Sequence, residues 1–119
     1  MDAVAYEEAV QEVKVAFPEF YDVYKYQGRG ENYWAPPKAH AVYLRFAEFA
    51  KDTLRMHDIA LLRRCLDFME RLTSSTDRRV QDLLGEFLAE FGRDDLRSLE
   101  SMAKPGLVRA IQEQYERWE

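Results

Sequence analysis

Residues 60–92, ALLRRCLDFMERLTSSTDRRVQDLLGEFLAEFG, decide the fold. Leu61, Leu62, Cys65, Leu66, Phe68, Met69 and Leu72 recur at steps of three and four, which predicts a helix from about Asp58 to Leu72. Its apolar arc is wide enough to touch more than one neighbour, so this helix is expected at the centre. In TSSTD, residues 73–77, Ser74 and Asp77 stand at capping-box spacing and place the next helix start near Ser75. The following stripe is Val80, Leu83, Leu84, Phe87, Leu88 and Phe91, and Gly92 is expected to end that helix in the left-handed conformation.

The same periodicity extends both ways. Upstream, a helix from about Lys38 to Leu54 turns Val42, Phe46, Phe49 and Thr53 inward and Arg45, Glu48, Asp52 and Arg55 to water. Residues 2–15 read as a first helix, with Ala5, Ala9, Val13 and Ala16 forming a face of small residues. Pro18 opens a second helix, PEFYDVYKYQ, which Gly28 ends. Downstream, a short helix directs Leu96, Leu99 and Met102 inward, and Pro105 opens a last one with Val108, Ile111, Tyr115 and Trp118 as its stripe. No segment alternates as a strand does. The expected fold is all-α: a single domain over residues 1–119, with six to seven helices stacked as antiparallel hairpins in a HEAT-like layout but without a fixed repeat period.

Composition narrows the function. The 119 residues include 17 basic and 22 acidic side chains, a net charge of −5, which argues against nucleic acid or an anionic membrane as partner and favours a basic protein. Cys65 is the single cysteine, set among leucines, and reads as a buried thiol. The acidic start MDAVAYEEAV is unlike a signal peptide, and no apolar run is of membrane-spanning length. A cytoplasmic protein is expected.

Candidate chemistry is sparse. His40 and His57 lack the spacing of a metal site, so no metal or other cofactor is expected. His57 and Asp58 read as a surface imidazole and a helix cap. Cys65 lies eight residues from His57, about 12 Å along a helix and too far for a nucleophile–base pair. Glu86, Glu90, Asp94 and Asp95 cluster around one helix end; a solvated face suits them better than acid–base catalysis, and a basic partner can dock there without a cleft. The remaining candidate is KYQGRGENYWAPPKAH, residues 25–40, whose glycines complete no phosphate-loop pattern. There Arg29, Glu31, Tyr33 and Trp34 are either a partner contact or, for the two aromatics, a lid over the bundle end. Tyr21, Tyr24, Tyr26 and Trp34 also make a candidate patch for a homodimer.

From KAHAVYLRFAEFAKD (38–52) through residues 60–92 to MAKPGLVRAIQEQYERW (102–118), the chain resembles a family of small all-helical bacterial proteins, some of them immunity partners of secreted polymorphic toxins. The shared pieces, LRFAEF, LDFMERL, VQDLLGEFLAEFG and the closing Pro-Gly helix, are mostly core and turn positions. The resemblance implies a non-enzymatic cytoplasmic protein that binds and neutralises one toxin, with a basic toxin domain as partner and no catalytic residue to assign. A helical scaffold or adaptor is the alternative, and a small-ligand protein with a pocket under Tyr33 and Trp34 a further one.

Overall fold

The computed structural model describes residues 4–20 and 39–117, and every regular element among them is helical. A 3-10 turn at Tyr6–Glu8 leads into α1 (Ala9–Ala16), and Pro18 begins a further helical turn at residues 18–20. Then follow α2 (Ala39–Arg55), α3 (Ile59–Thr73), α4 (Arg78–Ala89), α5 (Arg93–Glu100) and α6 (Pro105–Arg117). The protein is an all-α bundle, as the periodicity predicts. Arg29, Glu31, Tyr33 and Trp34, the tyrosines of the suggested dimer patch and Trp118 lie outside the described residues.

Helix α2 packs most extensively on α4 and also touches α3, the layering expected of stacked hairpins. Helix α6 then packs on both α3 and α4 and closes the stack into a bundle. The α2–α3 reversal needs a left-handed residue, which His57 provides at φ 58°; Asp58 then caps α3 by accepting from the Leu61 N–H at 3.2 Å.

The core gathers on Phe46, which is fully buried. Its ring lies 4.9 Å from Phe17, 5.4 Å from Phe20, 5.9 Å from Phe68 and 5.7 Å from Phe87, centroid to centroid. One side chain of α2 therefore touches the N-terminal segment, α3 and α4, in the tilted and edge-on arrangements aromatic rings prefer. One turn earlier Tyr43 donates its hydroxyl proton to the Ala9 carbonyl at 2.9 Å, and its burial raises the phenol pKa above the ordinary value.

Three arginines fasten the N-terminal segment from outside. Arg64 bonds Glu19 at 3.1 Å and the Ala16 carbonyl at 3.0 Å, Arg71 grips Glu12 through two bonds at 3.2 and 3.1 Å, and Arg79 reaches Glu7 at 2.9 Å. Arg64 also lies over the Phe17 ring and Arg79 over Tyr6.

Four local expectations are corrected. The first helix begins with a 3-10 turn; Ala5 is exposed and Val10 joins Ala9 and Val13 inside. Helix α4 starts at Arg78 because Ser74 still belongs to the end of α3, its hydroxyl donating to the Arg71 carbonyl at 3.0 Å; Asp77 alone caps α4, accepting from the Arg79 N–H at 2.9 Å. The Arg79 hydrogen bonds hold the Asp77 carboxyl below its ordinary range. Gly92, at φ −72° and ψ 168°, is extended and stands at the N-cap of α5. Helix α4 ends earlier, where the Glu90 and Phe91 N–H groups bond back to Phe87 and Leu88 at 3.3 and 3.1 Å.

The last correction concerns α6, which buries Leu107, Ile111 and Gln114, while Val108 and Tyr115 are partly buried and Tyr115 still packs against the core. Glu70 of α3 fixes that rotation. Its two carboxylate oxygens accept from the Gly106 N–H at 3.1 Å and the Leu107 N–H at 2.8 Å, while Pro105 has no N–H to satisfy. The carboxylate also complements the positive end of the helix dipole. A side chain at position 106 would strike Glu70 Oε2 and Thr73 Oγ1, so glycine is required by close approach.

Because Phe46 joins three parts of the core, Phe46→Ala is expected to destabilise the fold by about 3–5 kcal/mol. Urea unfolding of the full chain measures this; a loss under about 1 kcal/mol contradicts the hub.

Candidate functional site

The facing rows of α4 and α6 leave a groove. Along α6, Gly106, Arg109, Ala110, Glu113, Gln114 and Arg117 follow one another at alternating steps of three and one, a single helical face. Gln81, Leu84, Gly85 and Leu88 of α4 form the opposite wall, and Leu72 and Thr73 of α3 close one end around a hollow of about 300 Å³. A second hollow, of about 410 Å³, shares Gln81, Gly85, Gln114 and Arg117 and extends the groove past Arg78, Asp82 and Glu86.

Two glycines shape this groove. Gly106 lets α6 seat on Glu70, and Gly85 lets the Arg117 guanidinium lie against α4: a methyl there would stand 3.3 Å from Arg117 Nη1. The lining is polar over an apolar floor. Leu72, Leu84 and Leu88 are core residues seen at the bottom. Gln81 donates its amide N–H to the Ser75 carbonyl at 3.0 Å, and its carbonyl oxygen accepts no hydrogen bond among the described residues. Gln114 is 5% exposed, yet its side chain has no hydrogen-bond partner among the described residues. Arg78, Arg109 and Arg117 likewise make no ion pair among them, although Asp82 and Glu113 stand at the four-residue spacing that favours pairing.

The acidic candidates are distributed differently. Glu86 Oε2 pairs with His40 Nδ1 at 2.8 Å and ties α4 to α2, while the His40 ring lies 6.3 Å from Tyr6. Asp94 and Asp95 occupy the first turn of α5, whose N-cap Gly92 has no side chain to cap with; their charge favours that helix start. Glu90 has neither assignment. Among the described residues no group of three or more His, Cys, Asp or Glu side chains is placed to hold a metal ion, and no helix is long and apolar enough to cross a membrane.

Cys65 is buried, and burial pushes its thiol up to about 12 from an ordinary 9.0. A core thiol is what the surrounding leucines predict.

Sequence reasoning found Glu86, Glu90, Asp94 and Asp95 but not the groove. The signal for it is Gly85: glycine inside an otherwise amphipathic helix costs about 1 kcal/mol against alanine and calls for a packing reason. Arg109, Glu113 and Arg117, of alternating sign at four-residue steps, were the second sign.

A small all-helical domain with a polar groove along two helices is the class this arrangement defines. The family model described as Domain of unknown function (DUF7674) matches residues 10–118, and the chain belongs to that family. The match takes in the N-terminal segment as well as the helical stack. No curated protein and no solved structure matches the chain.

The two groove glycines are expected to respond with opposite sign. Gly85→Ala meets only the tip of a flexible arginine and should stabilise the protein by about 0.5–1 kcal/mol, whereas Gly106→Ala displaces the Glu70 cap and should cost about 1–3 kcal/mol. Urea denaturation of both variants decides; the same sign for both contradicts this account of the groove.

For Cys65, the folded pKa lies above the unfolded one, so its contribution to stability is complete below pH 9 and is lost as pH rises toward about 12. A disulfide thiol reagent at about pH 8 should therefore react at the rate of global unfolding, and added urea should speed it. Fast reaction with the folded protein contradicts the buried thiol.

Proposed function

We propose that the protein acts by binding another protein without covalent chemistry, and that the α4–α6 groove is its recognition surface. The observation that carries this reading is Gln114, a residue only 5% exposed whose amide opens into the groove with no partner among the described residues. A largely buried side chain whose amide stays open at the base of a groove is suited to a ligand's hydrogen bond. Arg78, Arg109 and Arg117 around it add unpaired charge of the residue type that dominates binding hot spots. Arg63 and Arg97 are also without an ion pair among the described residues but line no part of it.

The finer reading, which comes from the resemblance, makes the partner a basic secreted toxin domain and the protein its cytoplasmic immunity partner. In its favour Glu90, Asp94 and Asp95 form no ion pair among the described residues and leave negative charge for a basic surface.

A photo-crosslinking residue at position 109, on the groove, is compared with one at position 63, on the exposed side of α3, in cells of the source organism. The expected result is one protein adduct from 109 and none from 63. Equal labelling from both positions, or none from 109, overturns the groove as recognition surface. An adduct with a secreted toxin domain whose toxicity is lifted by co-expression supports the immunity reading, and any other partner overturns it.

A further inference from the structure

The spacing of charge along α6 points to what the groove holds. Arg109, Glu113 and Arg117 are four residues apart, a rise of about 6 Å per step, on the face turned to the groove. Same-face side chains of an extended peptide recur about every 6.6–6.8 Å. Over two steps the mismatch is about 1–2 Å, within the reach of these long side chains. Yet the alternation is unused by the chain itself: neither Arg109–Glu113 nor Glu113–Arg117 forms an ion pair, while Arg45 and Glu48 on α2 pair at 3.2 Å.

We propose that the α4–α6 groove takes an extended segment of the partner protein carrying acidic, basic and acidic side chains at alternate positions. This rests on the reading of the groove as the recognition surface, and it names the chemistry that is recognised. The acids meet Arg109 and Arg117, and the central base meets Glu113. Across the groove Arg78 and Asp82 extend the alternation on α4.

Two further observations favour an extended peptide over other occupants. Gln114 and Gln81 stand on opposite walls, the first with its whole amide unpartnered and the second with a free carbonyl oxygen. A glutamine amide presents donor and acceptor in one plane, matching the N–H and C=O of a peptide unit. A helical ligand keeps those groups bonded within itself, and at about 10 Å across it is too thick for hollows of about 300 and 410 Å³. An inorganic anion is opposed by Glu113, which stands between the two arginines.

The full-length protein, labelled with nitrogen-15, is titrated with two end-blocked peptides of equal composition and charge, Glu-Ala-Lys-Ala-Glu and Glu-Ala-Glu-Ala-Lys. The first is expected to move the side-chain amide resonances of Gln114 and Gln81 and to bind about tenfold more tightly than the second. In the charge-swapped variant Arg109→Glu, Glu113→Lys, Arg117→Glu the preference should pass to Lys-Ala-Glu-Ala-Lys. Gln114→Leu, which removes the amide and no charge, should weaken the first peptide about tenfold in wild-type background and keeps the test decisive if the triple variant does not fold. Equal binding of the two peptides, absence of binding, or shifts confined to residues away from the groove overturns the proposal. Failure here with a position-109 adduct in cells leaves the groove as recognition surface and removes only the peptide pattern; absence of that adduct removes the recognition surface itself.

Discussion

The structure depends on the burial of one phenyl ring against three parts of the chain. Phe46 carries Phe17 and Phe20 on one side and Phe68 and Phe87 on others, so the N-terminal segment, α3 and α4 are each positioned against α2. Close packing leaves little freedom in such a cluster, because a shift of one ring opens a void beside the others. Helix α4 is thereby held with its inner face on the aromatic core, and its opposite flank, carrying Gln81 and Gly85, is left for α6.

Helix α6 is seated by polar chemistry. Glu70 receives the two free N–H groups of its first turn, and the rotation this imposes turns Gln114 inward and lines up Arg109, Glu113 and Arg117 along the groove. Elsewhere the chain pairs its charges across elements, as in Arg71–Glu12 and Lys104–Asp67. In the groove Arg109, Glu113 and Arg117 stand at pairing distance in sequence and form no ion pair among the described residues.

The helices were legible in the sequence because apolar side chains at three- and four-residue steps have one economical burial, on the inner face of a helix. The stripes of α3 and α4 are the clearest instance. What could not be read is whatever depends on a partner distant in the chain. Ser74 and Asp77 carry the capping-box spacing, but the hydroxyl bonds backward to Arg71, a choice set by where α3 ends. In α6 the pattern offers Val108 and Tyr115 as readily as Leu107 and Gln114, and a carboxylate 36 residues away decides between them. The acidic cluster looked like one surface, whereas His40 claims Glu86 and the start of α5 claims Asp94 and Asp95. Residues 25–40, the most unusual in composition, contribute only Ala39 and His40 to the described structure.

The arginine clasp on the N-terminal segment bears on how the chain is made. Glu7, Glu12 and Glu19 leave the ribosome before their partners Arg79, Arg71 and Arg64, which follow 72, 59 and 45 residues later. Until α3 has emerged, Phe17 has neither the Phe68 ring nor the Arg64 guanidinium to cover it. Residues 4–20 therefore stay without these contacts until α3 and α4 have been made, and long-range attraction between their acids and the three arginines favours docking before the aromatic contacts close.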